Sequence, residues 1–189
     1  MTCGIEDSVA KVQITEGLRR VNRLREAGDA DGLIAELDSP IHLGRLSVRV
    51  WAADALRRLG HPAGVPQLAA RVNDDDLDMR LAAVRALAEI RDSRATPALV
   101  HALSDPSPVV RLRAVHGLHR LGDRSGLRTL IDLLELDDWL VRRSAAVQLG
   151  TLGEPGAIES LRVARARERP WRRRPYSQAI RRLRTRSTR

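Results

Sequence analysis

The sequence predicts an all-α protein: a right-handed solenoid of about five stacked helical hairpins, closed at its start by one extra helix. Three observations predict it. Residues recur in register every 31 positions along most of the chain, and a fixed period of that length is the signature of a repeat architecture. Within each period the apolar residues keep helical spacing, with Val110, Ala114, Leu118 and Leu121 on one face. The 189 residues are 43% hydrophobic but only 2% aromatic, with no Phe, so the core must be aliphatic.

In chain order, residues 6–27 read as an amphipathic helix with Ile14, Leu18, Val21 and Leu24 on one side and Asp7 or Ser8 as N-cap. Residues 1–29 are therefore expected to form an N-terminal cap, and residues 30–183 the repeat domain. Leu68, Leu99, Leu130 and Leu161 mark the first helix of four hairpins. The second helices carry Leu56, Leu87, Leu118, Leu149 and Ile180, then Leu59, Ile90, Leu121, Leu152 and Leu183. A small column, Ala52, Ala83, Ala114 and Ala145, fails only at Tyr176, and Arg49, Arg80, Arg111, Arg142 and Arg173 form another. Runs such as Ser104–Pro108 and Gly122–Gly126 are turn signals between helices. The first hairpin has a longer loop, Ser39 to Ser47. Pro175 falls where earlier copies are already helical, so the last helix should start near it, leaving residues 169–174 as a basic linker. Residues 184–189 read as a basic tail. Neither helix of a hairpin can hide its apolar stripe alone, so the hairpins must stack.

Composition narrows the function classes. The 30% charged residues accompany enough apolar ones to exclude disorder throughout. One cysteine, Cys3, excludes an internal disulfide framework and a cysteine-based zinc site. No apolar run approaches the roughly 18 residues of a membrane span, and Glu6 and Asp7 precede any apolar stretch, unlike a signal peptide. A cytoplasmic protein is the expectation. Charge is concentrated at one end. Residues 162–189 hold twelve arginines and one acid, a net +11 in a chain of +9, so the first 161 residues carry −2.

The repeat pattern resembles HEAT repeats, particularly the short class of the phycobilisome lyases. Asp105, Val110-Arg111, Ala114, Leu118 and Leu121-Gly122 show it best; Asp74, Met79-Arg80, Ala83, Ala86-Leu87 and Ile90 nearly as well. The next copy has Leu136 in the Asp position, with Asp137 beside it. The resemblance covers residues 30–183 and implies a fold, not a function. It also implies that the arginine column is scaffolding, each Arg pairing with a loop Asp of its own or a neighbouring repeat.

The resemblance further implies that the second helices line a concave face. The candidate partner-binding residues there are Arg85, His116, His119, Arg120, Val147, Gly150 and Thr151, the small ones forming a bare patch. At the basic end Arg172, Arg173, Arg174, Arg181 and Arg182, with Trp171 among them, suit an anionic partner, by phosphate or carboxylate pairing plus a stacking ring. His116 and His119 have no Cys or acid at matching spacing, and no His-Glu dipeptide of the HEAT-like metal hydroxylases occurs. No metal, cofactor or catalytic residue is expected. Trp139 ahead of Arg142 and Arg143 is loosely similar to HEAT-like DNA glycosylases, but the other aromatic residues of such a cleft are missing. The favoured reading is a non-catalytic adaptor or scaffold that binds another protein, an acidic one where the arginines contact it. The alternative is a nucleic-acid-binding module using the C-terminal arginines.

Overall fold

The computed structural model describes residues 3–43 and 46–187. Helix α1 (Cys3–Ala27) precedes five hairpins. These pair α2 (Ala30–Ala35) with α3 (Val48–Leu59), α4 (Val65–Ala70) with α5 (Leu77–Ile90), and α6 (Thr96–His101) with α7 (Pro108–Arg120). The last two pair α8 (Leu127–Leu133) with α9 (Trp139–Leu152), and α10 (Ile158–Arg167) with α11 (Arg174–Ser187). Most of the first helices are extended by single 3₁₀ turns. In the long first loop two two-residue strands, β1 (His42–Leu43) and β2 (Leu46–Ser47), pair antiparallel.

Two boundaries differ from the sequence reading. Helix α1 starts at Cys3, so Asp7 and Ser8 lie inside it and neither is its N-cap. The apolar periodicity begins only further along and does not mark those first turns. Helix α11 starts one residue before Pro175, as its place in a first turn requires, but runs on through Ser187. Residues 184–187 are thus its last turn rather than a separate tail, and residues 188 and 189 lie outside the described residues.

The leucine columns form the core. Leu56, Leu87, Leu118 and Leu149, with Leu68, Leu99, Leu130 and Leu161, are all fully buried. Ile14 and Val21 of α1 join the cluster of Leu56, Leu87 and Leu118 and cover the open side of the first hairpin.

The arginine column ties each repeat to the next. Arg80 donates from Nη1 to the Asp74 carbonyl of its own loop at 2.9 Å and from Nε to the Asp105 carboxylate of the following repeat at 2.9 Å. Arg49 reaches Asp74 in the same way at 2.9 Å. Arg142 donates to the Leu136 carbonyl at 2.6 Å and to Glu168 at 2.7 Å, and the Tyr176 hydroxyl donates to the same carboxylate oxygen at 3.1 Å. Glu168, the one acid of the basic end, therefore takes the Asp position in the last repeat. Burial and the Glu168 charge push the Tyr176 phenol up to about 12. Arg111 keeps its own-loop bond to the Asp105 carbonyl at 3.1 Å. Leu136 offers it no carboxylate, so the ladder is broken between the third and fourth repeats.

Adjacent second helices approach through small residues. A Cβ on Gly117 of α7 would lie 2.9 Å from the Ala88 Cβ of α5, and one on Gly150 of α9 would lie 2.8 Å from the Ala179 Cα of α11. Shifting the first of these pairs by one repeat gives His119 and Gln148. Two large side chains stand where α5–α7 and α9–α11 have an Ala and a Gly, and α7 meets α9 over a shorter stretch than α5 meets α7 or α9 meets α11. Gln148 reaches across, its Nε2 donating to the Leu112 carbonyl at 3.2 Å. The apolar core divides on α7 accordingly: Val110, Ala114 and Leu118 belong to the first cluster, Leu112 and Val115 to the second.

Three predictions follow from this packing. Leu118→Ala should cost about 2–5 kcal/mol in denaturant melts. Hydrogen exchange should then rise through α4–α7 before it reaches α9–α11, because coupling runs between neighbours and is weakest at that seam. Glu168→Ala should cost about 3–5 kcal/mol, since it strands the largely buried Arg142 guanidinium. Second helices end in left-handed residues Gly60, Arg91 and Gly153, and only Arg91, at φ 59, carries a side chain. Arg91→Gly should therefore raise stability by about 1 kcal/mol, read as a higher Tm.

Candidate functional site

The second helices present two adjoining grooves. The first, about 540 Å³, is walled by α3, α5 and α7, with Trp51, Asp54, Arg58, Arg85, Val109 and Arg113 among its lining. The second, about 420 Å³, opens at the α7–α9 seam over Leu112 and Val141, with Val109, Leu140, Arg113, His116, Ser144 and Gln148 around it.

Charge divides the surface in two. In the first groove the ions of α3 and the end of α5 are already paired, while Asp78 and Arg113 make no ion pair among the described residues. Asp54 accepts from Arg57 and Arg58 at 2.8 Å each, Arg57 also holds Glu89, and Arg85 lies 3.5 Å from Glu89. Burial works to raise the pKa of Asp54 and Glu89, but the hydrogen bonds from these arginines outweigh it and hold both below the ordinary range. On α7, by contrast, Arg113, His116, His119 and Arg120 make no hydrogen bond or ion pair among the described residues. Burial, then the neighbouring charges of Arg120, Arg113 and His119, push the His116 pKa below its ordinary value, and Glu89 only partly opposes them.

Most of the residues singled out in the sequence do reach this surface. Arg85 lines the first groove and His116 the second. His119, Val147 and Thr151 are exposed, and Arg120 is half-buried. Gly150 is the correction. It is buried against Ala179, where its missing side chain lets α9 and α11 touch, so it is no part of an open patch. Trp51, Val109, Arg113 and Leu140 were missed, although each stands in the 31-residue register.

The basic end is less uniform than its sequence. Arg173 donates from Nε to the Glu168 carbonyl at 2.8 Å and so serves the scaffold. The Arg172 guanidinium lies 4.8 Å from the Trp139 ring centroid and that of Arg143 lies 5.8 Å away. Two cations therefore lie over the indole that the sequence likened to a glycosylase cleft residue. Arg174, Arg181 and Arg182 are exposed on α11, and Trp171 is 70% exposed with Arg169 over its ring at 5.5 Å. Among the described residues no three His, Cys, Asp or Glu side chains converge as metal ligands, and no helix is long and apolar enough to cross a membrane.

A family model for HEAT repeats matches residues 31–107 and 96–181, most of the chain. The chain belongs to the HEAT-repeat family. Among solved structures, this HEAT-repeat protein is similar to a designed armadillo repeat protein in complex with the peptide (KR)4. The two are 18% identical over 93% of this chain and 92% of that one, with a TM-score of 0.63. It is also similar to an engineered protein, 19% identical over 95% and 90% of the two chains, with a TM-score of 0.57. The complex of CpcE and CpcF of phycocyanin lyase from Nostoc sp. PCC7120 is 19% identical over 92% and 89%, with a TM-score of 0.46. No curated protein matches the chain.

Proposed function

We propose that this HEAT-repeat protein is a non-catalytic adaptor that holds an acidic protein partner along its second-helix face and its basic C-terminal end. The observation that carries this reading is the charge division. The α3–α5 half of the face is largely neutralised internally, while the Arg113 and Arg120 guanidiniums on α7 make no ion pair among the described residues. Unpaired cations rimming a groove attract and orient an acidic segment, and bidentate guanidinium–carboxylate pairs then fix its register. The designed repeat protein of similar fold holds a basic peptide; here the free groups are cationic, so the matching segment is acidic.

A nucleic-acid-binding module is the second reading, favoured by exposed Arg174, Arg181 and Arg182 beside the open Trp171 ring. The two readings separate by experiment. Affinity capture with and without nuclease should retain a protein partner after digestion, and Arg113→Glu with Arg120→Glu should release it. A nucleic-acid binder would instead show a log–log salt slope near −3 on duplex DNA, from about three phosphates. Arg174, Arg181 and Arg182 to Gln would abolish that slope.

Proton linkage gives a further check. A carboxylate docked beside His116 raises its depressed pKa, so the complex holds more protons than the free protein. Glu89, Arg113, Arg120 and His119 act on the same imidazole in both states and do not change the sign. Affinity should therefore rise as pH falls from neutrality to below the ordinary histidine value of about 6.5, and level off once His116 is protonated in the free protein as well. His116→Gln should flatten that dependence in calorimetric titrations.

A further inference from the structure

We propose that the first turns of α7 and α9 and the turn before α11 form a docking strip for an acidic amphipathic helix of the partner protein. This rests on the adaptor reading and adds where the partner lies and what shape it has. Val109, Leu140 and Trp171 stand one repeat apart in the same register and are 43%, 61% and 70% exposed. In the preceding repeat that register holds Asp78, so the apolar strip stops there. Large apolar side chains exposed side by side on consecutive repeats mark an interaction surface rather than scattered surface residues.

The strip is continuous. Val109 and Leu140 both line the seam groove, whose floor includes Leu112 and Val141. The contact of Arg172 with the Trp139 ring sets the turn bearing Trp171 against the start of α9. The groove lies at the junction where His119 and Gln148 replace the Ala–Gly pairs of α5–α7 and α9–α11.

Spacing selects the occupant. Neighbouring packed helices lie about 8–10 Å apart. A helix rises about 1.5 Å per residue, so seven residues span roughly 10 Å and return to nearly the same face. An extended strand repeats its face every 6.6 Å or so and falls out of step. One apolar side chain of the partner helix then enters the groove between Val109 and Leu140, and a second, seven residues on, lies between Leu140 and Trp171. Charge selects the rest of that helix. Arg113 and Arg174 flank the strip without an ion pair among the described residues, and Arg143 and Arg169 add positive potential from over the Trp139 and Trp171 rings. The one acid lining the groove, Asp138, accepts from the Leu140 and Val141 amides at 2.8 and 3.2 Å. Acidic residues beside the two apolar anchors complement this rim.

The test uses the full chain and two labelled synthetic peptides of one composition, both rich in Glu and Ala. One carries Leu at heptad spacing; in the other the Leu residues are spread around the helix. By fluorescence anisotropy the heptad peptide should bind at least about tenfold more tightly than the shuffled one. It should also shift the tryptophan emission to the blue as Trp171 is covered. Leu140→Glu and Trp171→Glu should each weaken it by about tenfold or more while leaving Tm unchanged, since both side chains are exposed. Equal affinity for the two peptides, or indifference to both substitutions, would overturn the docking strip, as would full displacement of the heptad peptide by duplex DNA with no peptide preference. If the strip fails in this way while Leu140→Glu protein still captures a partner that Arg120→Glu releases, the adaptor reading survives without it.

Discussion

The solenoid depends on how closely consecutive second helices can approach. Each one must cover the apolar stripe of the one before, and at α5–α7 and α9–α11 the backbones meet over Ala88 with Gly117 and Gly150 with Ala179. Such contacts are so short that a single added Cβ would force the helices apart. The tight junctions let the buried leucine columns interlock across repeats, and they set the direction in which the remaining side chains of each second helix point.

At α7–α9 the same two positions hold His119 and Gln148. The consequences gather at that junction. Leu112 and Val115 separate from the first apolar cluster and join the second. The carboxylate that should hold Arg111 is replaced by Leu136, so the arginine ladder that binds every other described pair of repeats is absent at this step. A groove opens, and the α7 side chains beside it carry cations without partners. Loss of close packing and of an inter-repeat ion pair at one step leaves a thinner contact here than at α5–α7 or α9–α11, and local opening is expected where contacts are thinnest.

Much of this was legible in the sequence because a repeat reports each structural role several times over. The 31-residue columns predicted the hairpins and the buried leucines, and the HEAT resemblance implied the scaffold role of the arginines, which Asp74 and Asp105 of the following repeats fulfil. Glu168 was not read as the last carboxylate because it stands one residue away from the column, so that Arg173 bonds a loop carbonyl five residues back where Arg80, Arg111 and Arg142 bond one six back. The misreading of Gly150 has a different cause. Its column runs Arg57, Ala88, His119, Gly150 and Arg181, and it lies on the border between the open face and the next repeat. Whether a residue there is buried is decided by the side chain it meets 29 positions later: Gly117 draws Ala88 in, and Ala179 does the same for Gly150. Within one helix nothing distinguishes a small residue that is exposed from one that allows a close approach.

The basic end illustrates the same difference between composition and surface. Counted in sequence, its arginines form one positive block. In the fold Arg173 holds a loop carbonyl, Arg172 covers Trp139, and Arg167 and Arg162 pair with Glu135 and Glu159. Exposed Arg174, Arg181 and Arg182 remain on α11, which is fewer contacts than the raw charge suggests for a backbone-phosphate track. A guanidinium already committed to a carbonyl or an aromatic face adds to the local potential but cannot also form a bidentate pair without giving up that contact. On the adaptor reading proposed above, the end would steer an anionic partner towards the α7–α9 groove, where the Arg113 guanidinium lies beside apolar side chains, rather than grip a long polyanion by itself.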